Sequence, residues 1–216
     1  MAEGADFDQR RALLTRAADV MRTDAGAVLA AAESLDPSFY DVVYTLLDCR
    51  GKVLVAGMGT SGASARRVAH LLSCCGTPAL FVHAADGLHG GLGSITSDDV
   101  LIVISKGGES DELNEFCRRA KARGSRTVAM TAVATSRLSK LCDQTLVVKT
   151  PPEADPAEMM AMGSALAACA VGDALAVTLM ELRQYPLETF EFTHPGGAVG
   201  KLIEGQREPG SQPSDR

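Results

Sequence analysis

Two stretches, Gly57-Met-Gly-Thr-Ser-Gly62 and Ser105-Lys-Gly-Gly-Glu-Ser110, combine glycines with hydroxyls directly after short apolar runs at residues 53–56 and 100–104. A helical pattern follows each, from about residue 63 and from residue 111. Strand, glycine turn and helix N-terminus in that order present backbone N–H groups to an anion, so each turn reads as a phosphate cradle. Glycines that only permit tight strand-to-helix packing are the alternative reading. The Gly-x-Gly-x-x-Gly spacing of the first turn also matches a dinucleotide fingerprint. About twenty residues on, however, where a ribose-binding Asp or Glu belongs, the next apolar run ends at Val82-His83. A glycine-rich stretch with two histidines follows at residues 83–93, and Phe190-Glu-Phe-Thr-His-Pro-Gly-Gly197 lies near the C-terminal end.

The elements that must position these turns follow from the pattern of apolar residues. Strands are expected at 53–56, 79–82, 99–105, 126–131 and 144–148. The run at 100–104 is apolar at every position, which a parallel strand buried on both faces requires. Helices are expected between them at 63–75, 111–123 and 136–142, with two leading helices at 8–34 and 38–49. A long Ala/Met helix at 157–183 follows a proline-broken loop at 150–156. Alternation of strand and helix predicts an α/β fold, a doubly wound five-stranded parallel sheet flanked by helices in a flavodoxin-like three-layer sandwich. Ligands in such sheets sit outside the carboxyl ends of the strands, so both turns would face one crevice. A single domain is expected over 1–204, with leading helices at 8–50 and a sheet core at 51–204. The polar, Pro- and Ser-containing residues 205–216 read as a disordered tail.

Composition narrows the function classes. The 216 residues are 46% apolar and 22% charged, with no Trp, so the core must be aliphatic. A net charge of −6 argues against a nucleic-acid or anionic-membrane surface, while leaving room for a phosphorylated small molecule in a local N–H-rich pocket. The six cysteines form no Cys-x-x-Cys pair and read as buried thiols of a reducing cytoplasm. The N-terminus lacks the basic and apolar regions of a signal peptide. The apolar stretch at 159–182 is interrupted by Gly163, Gly172 and Asp173 and reads as a buried helix rather than a membrane span.

Gly57-Met-Gly-Thr-Ser-Gly62, His83-x-x-Asp-x-x-His-Gly90, Ser105-x-x-Gly-Glu-Ser110, Gly172-Asp-Ala-Leu-Ala176 and His194-Pro-Gly-Gly197-Ala-x-Gly200, in that order, resemble the sugar isomerase (SIS) domain of arabinose-5-phosphate isomerases. The resemblance runs from about residue 10 to residue 202 and stops short of the CBS pair that often follows such a domain. It implies a phosphosugar in the crevice and an aldose–ketose isomerisation through an enediol, with no metal and no cofactor. That chemistry needs a ring-opening acid/base and a carboxylate to move a proton between adjacent carbons. The resemblance implies His89, Glu112, Glu153 and His194 as catalytic candidates. It implies Gly59, Thr60, Ser61, Ser105, Lys106, Gly107, Gly108, Ser110 and Ser164 as substrate-binding ones. It further implies a homotetramer or dimer, with His194 reaching a neighbouring subunit's crevice.

This chain departs from the family at several of those positions. The family has a lysine where Thr60 stands, and Asn-Ser where Lys106-Gly107 stand, so one positive charge is lost from the first turn and one enters the second. Asp86 replaces a glutamate, Gly91 an aspartate, and the hydroxyl-rich start of the long helix has become Met160-Ala-Met-Gly163 with Ser164 as its one hydroxyl. A non-catalytic or regulatory phosphosugar-binding protein is therefore the alternative function. His70, inside a helix, reads as a core or surface residue, and His83, ending a strand, as structural. Arg66, Arg67, Arg118, Arg119, Lys121 and Arg123 read as solvated helix faces.

Overall fold

In a computed structural model, residues 2–195 are described. Two helices, α1 (Ala2–Glu33) and α2 (Ser38–Leu47), precede the sheet. There follow β1 (Val53–Gly57), α3 (Gly59–Cys74), β2 (Ala79–Val82), α4 (Ala84–Leu88), β3 (Val100–Ile104), α5 (Asp111–Ala122), β4 (Arg126–Thr131), α6 (Arg137–Leu141) and β5 (Gln144–Val147). Three short 3-10 turns, Gly91–Ser94, Pro152–Ala154 and Pro156–Glu158, lie in the connections, and α7 (Gly163–Leu182) and α8 (Leu187–Thr193) complete the described chain.

The five strands are all parallel, in the order β2-β1-β3-β4-β5. The order reverses between β1 and β3, so the switch-point crevice opens between the two strands that carry the glycine turns. Successive residues point to opposite faces of a strand. Val53, Val55, Val100, Ile102 and Val128 accordingly pack with residues of α2, α3 and α7 on one side. Leu54, Ala56, Leu101, Val103 and Ala129 pack with α4, α5 and α6 on the other. Every residue of β1 and β3 is buried, as an internal parallel strand requires. The doubly wound three-layer architecture read from the sequence is the one observed.

Several boundaries differ from expectation. α3 starts at Gly59, not near residue 63, because Gly59 takes φ +54° and turns the chain from extended Met58 directly into helix. The turn is tight: a Cβ on Gly57 would lie 2.5 Å from the Ser61 carbonyl, and one on Gly62 would lie 2.8 Å from the Gly57 carbonyl. Residues 83–93, expected to be irregular, contain α4 and a 3-10 turn. The long helix begins at Gly163 rather than 157, since Ala157 and Glu158 have φ of +53° and +56°, which no helix accommodates. α6 is shorter than the expected 136–142 because Ser136 is its N-cap, its hydroxyl accepting the Ser139 N–H at 3.2 Å. α8 was not anticipated. The expected tail at 205–216 and the Gly196-Gly197 and Gly200 part of the His-Pro-Gly-Gly motif lie outside the described residues.

By length and composition α7 could cross a membrane. In the fold it packs against α1, α2 and α3, with Gly163, Ala167, Val171, Leu175 and Leu179 among its buried positions.

Candidate functional site

The first turn ends β1 and opens α3. Its N-cap residue, Met58, offers no side-chain acceptor to the helix, so the first-turn N–H groups stand open at the carboxyl end of the sheet. Thr60 is exposed and Ser61 half-buried. One turn further on, the Ser64 hydroxyl donates to the Thr60 carbonyl at 3.3 Å and reaches the Ala165 carbonyl at 3.5 Å, fastening α3 to the start of α7.

The second turn, after β3, is held from within and below. Ser105 Oγ accepts the Gly108 N–H at 3.2 Å. The Lys106 carbonyl accepts the Thr131 hydroxyl at 2.9 Å and the Ala132 N–H at 2.9 Å. Asn114, buried in α5, donates from Nδ2 to the Gly108 carbonyl at 3.2 Å. Gly108 has φ +69° and is buried, whereas Gly107 is exposed with open space where a Cβ would sit. Ser110 is the N-cap residue of α5 without a side-chain capping bond.

Between the two turns and the start of α7 lies a small cleft, with an enclosed volume of about 30 Å³, lined by Ser61, Ser64, Lys106, Thr131, Ser164 and aliphatic residues. Lys106 is the one basic residue lining it among the described residues. Its Nζ lies 2.6 Å from Asp155 Oδ2, in an ion pair whose aspartate side chain is 1% exposed and whose lysine side chain is 40% exposed. Asp155 also accepts the Ser164 hydroxyl on Oδ2, and on Oδ1 the Met162 N–H at 2.8 Å and the Ser164 N–H at 3.1 Å. Burial pushes this carboxyl up. The bonds from Lys106, from both groups of Ser164 and from Met162 outweigh that and hold it at about 2. The N-terminus of α7 is thus already capped by a carboxylate, leaving the α3 turn as the open N–H cluster facing the cleft.

Ser61, Lys106 and Ser164, three candidates from the sequence, therefore share one cleft, with Gly59 and Thr60 on its α3 side and Gly107, Gly108 and Ser110 continuing from Lys106 around the second turn. The four acid/base candidates lie outside its lining. Glu112 is exposed in the first turn of α5, and Glu153 is exposed two residues before Asp155. His89 is exposed at the C-terminal end of α4. His194 ends α8, where its Nδ1 lies 2.9 Å from the Phe190 carbonyl and its ring stacks on Phe190 at 4.0 Å.

His194 is not among the residues that line the cleft of its own chain. The Tyr185 ring, at the start of the segment that carries it, sits against Gly76, past the far end of α3 from Gly59.

Asp155 was absent from the sequence-derived candidates, although Glu153 was present. The two carboxylates stand two residues apart in one loop, and nothing in the sequence says which of them turns inward. Ser64 and Thr131 were missed because each is one hydroxyl within an ordinary amphipathic or apolar run. Among the described residues no group of three or more His, Cys, Asp or Glu is placed to hold a metal ion.

The SIS domain family model matches residues 46–178. The chain is 34% identical over 192 residues to arabinose 5-phosphate isomerase KpsF of Escherichia coli O6:H1, covering 88% of this chain and 59% of that protein. It is 39% identical over 155 residues to arabinose 5-phosphate isomerase KdsD of the same organism, covering 72% of this chain and 47% of that protein. The chain therefore spans only about half to three-fifths of the length of these curated relatives. Among solved structures, E. coli CFT073 c3406 in complex with A5P superposes with a TM-score of 0.83 at 32% identity, over 86% of this chain and 98% of that one. The matched segment begins in α2 and ends in α7, so it contains the whole sheet and both turns at its switch point, and the chain belongs to the SIS domain family.

Proposed function

We propose that the protein is a phosphosugar aldose–ketose isomerase interconverting D-arabinose 5-phosphate and D-ribulose 5-phosphate. The observation that carries this reading is the convergence of the open α3 N-terminus, Ser61, Lys106 and Ser164 on one cleft, in a chain 34% identical over 88% of its length to an arabinose 5-phosphate isomerase. A phosphate dianion fits the α3 turn, where first-turn N–H groups, the Ser61 hydroxyl and the Lys106 ammonium can all donate to it. The sugar carbons then extend along the cleft towards its rim.

Isomerisation moves the C2 proton to C1 and the O2 proton to O1, so the aldehyde becomes the hydroxymethyl group and C2 becomes the ketone. Atoms and electrons balance within the substrate, and the reaction calls for no redox cofactor. A carboxylate must lift the C2 proton and return it to C1, and Glu112 and Glu153 are the candidates for it. A histidine opens the sugar ring by exchanging protons between the anomeric hydroxyl and the ring oxygen. His89 serves this role from the same chain, or His194 from a neighbouring copy. The second option makes the active unit a homo-oligomer, a dimer or tetramer, which the exposed Leu13, Leu14, Met21 and Leu29 of α1 also favour. The free cysteines, with no disulfide among the described residues, favour a cytoplasmic location.

A second reading, a regulatory phosphosugar-binding protein, is favoured by one observation: the first turn carries Thr60 and no cation, and Lys106 is already paired with Asp155. Incubation with arabinose 5-phosphate in D2O separates the two. The isomerase exchanges the C2 proton for deuterium and accumulates ribulose 5-phosphate, both read by proton NMR. Tight binding of pentose and hexose phosphates with no exchange in any of them would establish the second reading instead.

A further inference from the structure

We propose that Asp155 is a positioning residue that sets both the place and the effective charge of Lys106, and so trades affinity for the substrate phosphate against turnover. The inference rests on the phosphate reading of the cleft and adds to it a residue that does not itself touch substrate.

The argument starts from how this carboxylate is held. Its side chain is 1% exposed, and it lies between the β3 turn and the first residues of α7. Its two oxygens are divided by task. Oδ1 accepts only backbone N–H groups, those of Met162 and Ser164, and so caps α7. Oδ2 accepts the Lys106 ammonium and the Ser164 hydroxyl, both of which line the cleft. Capping a helix needs one acceptor atom, and a neutral side chain can supply it. The second oxygen is turned to the cleft and to its one basic residue.

Two consequences follow. A lysine carries a long flexible stem, and pinning its ammonium at 2.6 Å removes the freedom it would otherwise spend among rotamers. A phosphate arriving at the α3 turn therefore meets a cation already in place. The same carboxylate also cancels part of the ammonium's field, so the phosphate is held less tightly than a bare lysine would hold it. Fixed geometry favours turnover, and a moderated charge favours product release.

Asp155→Asn separates the oxygens. Its Oδ1 still accepts from Met162 and Ser164, so the α7 cap survives. Its Nδ2 replaces Oδ2 and, being a donor, faces the Lys106 ammonium and releases it with its full charge. Removing one negative charge a few ångströms from the phosphate position should tighten binding of inorganic phosphate about tenfold at low salt. The freed ammonium no longer aligns the substrate, so kcat for arabinose 5-phosphate should fall at least about tenfold while KM falls too. Ser164→Ala tests the inference with the opposite sign. It keeps the ion pair, removes the hydroxyl that competes for Oδ2, and leaves more of the carboxylate's charge on Lys106, so phosphate should bind several-fold more weakly.

The experiment is calorimetric titration of inorganic phosphate into the full chain and into Asp155→Asn, Ser164→Ala and Lys106→Met, with steady-state kinetics and thermal unfolding of each. Tighter phosphate with lower kcat in the first variant and weaker phosphate in the second support the inference. A lowered melting temperature in Asp155→Asn with phosphate affinity unchanged or weakened overturns it, leaving Asp155 as a helix cap. Should Asp155→Asn fail to fold, unchanged or tighter binding in Ser164→Ala overturns it equally. Lys106→Met reports separately on the parent reading: if it leaves phosphate binding intact, the cleft is not the phosphate site.

Discussion

Gly172 of α7 presses its Cα against the side chain of Val68 in α3, so closely that a Cβ on the glycine would overlap a valine methyl. The contact lets the two helices on the cleft side of the sheet approach backbone to side chain. Gly172→Ala gains helix propensity, worth up to about 1 kcal/mol, and forces overpacking that costs about 1–3 kcal/mol. The expected outcome is a net loss of roughly 1 kcal/mol, read as a lower urea midpoint at unchanged slope. Gly26→Ala is the control, since nothing lies within 4 Å of its missing Cβ.

The two central glycines of the second turn should respond in opposite ways. Gly108 has φ +69°, and a Cβ there would collide with the Ser136 side chain. Gly108→Ala is expected to cost about 1–3 kcal/mol and to weaken phosphate binding by displacing Lys106. Gly107→Ser has open space and should shift stability by no more than about 0.5 kcal/mol. Denaturant titration and phosphate calorimetry on the two variants check both statements.

Asp155 makes stability depend on acid in a definite direction. Its folded carboxyl sits at about 2, below the unfolded value, so its contribution is complete above the ordinary carboxylate range and is lost as pH falls towards 2. That contribution is of order 2 kcal/mol. Between pH 5 and pH 2 the wild-type chain should therefore lose more stability than Asp155→Asn by roughly this amount. Urea unfolding at a series of pH values reads it. Asp99 and Asp143 are also held below their ordinary value, burial opposing and hydrogen bonds prevailing, so part of the acid sensitivity remains in the variant.

Cys117 and Cys142 bring their sulfurs to 3.4 Å, with Cys117 fully buried in the core under α5. The hydrogen bond with Cys142 and then burial push the Cys117 thiol far up, so it forms almost no thiolate near neutral pH. Iodoacetamide at pH 8 should leave Cys117 unmodified in the native protein and label it fully in urea, as read by peptide mass spectrometry. Rapid native labelling of Cys117 would show that α5 opens locally far more often than its packing allows.

The two glycine turns were legible because backbone demands write themselves into residue type. Gly57 and Gly62 permit no Cβ, and the apolar run of β3 permits no polar residue, so local sterics and burial leave few alternatives. The partner of Lys106 was not legible to the same degree. Glu153 and Asp155 stand two residues apart in one loop, and either could be the solvated carboxylate. What separates them is that the 3-10 turn at Pro152–Ala154 and the positive φ of Ala157 and Glu158 turn Asp155 inward and leave Glu153 outside. The start of α7 was misplaced for the same reason, since helix propensity at residues 157–162 is overridden by a loop shaped to bring a carboxylate under Ser164.

By itself the sequence determined the alternation of strand and helix, the parallel sheet and the two anion-ready turns at its edge, because periodicity, burial and backbone freedom act over a few neighbouring residues. Only the tertiary structure decided that Ser61, Lys106 and Ser164 meet in one cleft and that Asp155 neutralises its one basic residue. It also decided that none of the four acid/base candidates lines that cleft. These are relations between segments tens of residues apart, set by the order in which the sheet stacks its strands and by where α7 packs across it, and no local pattern encodes them.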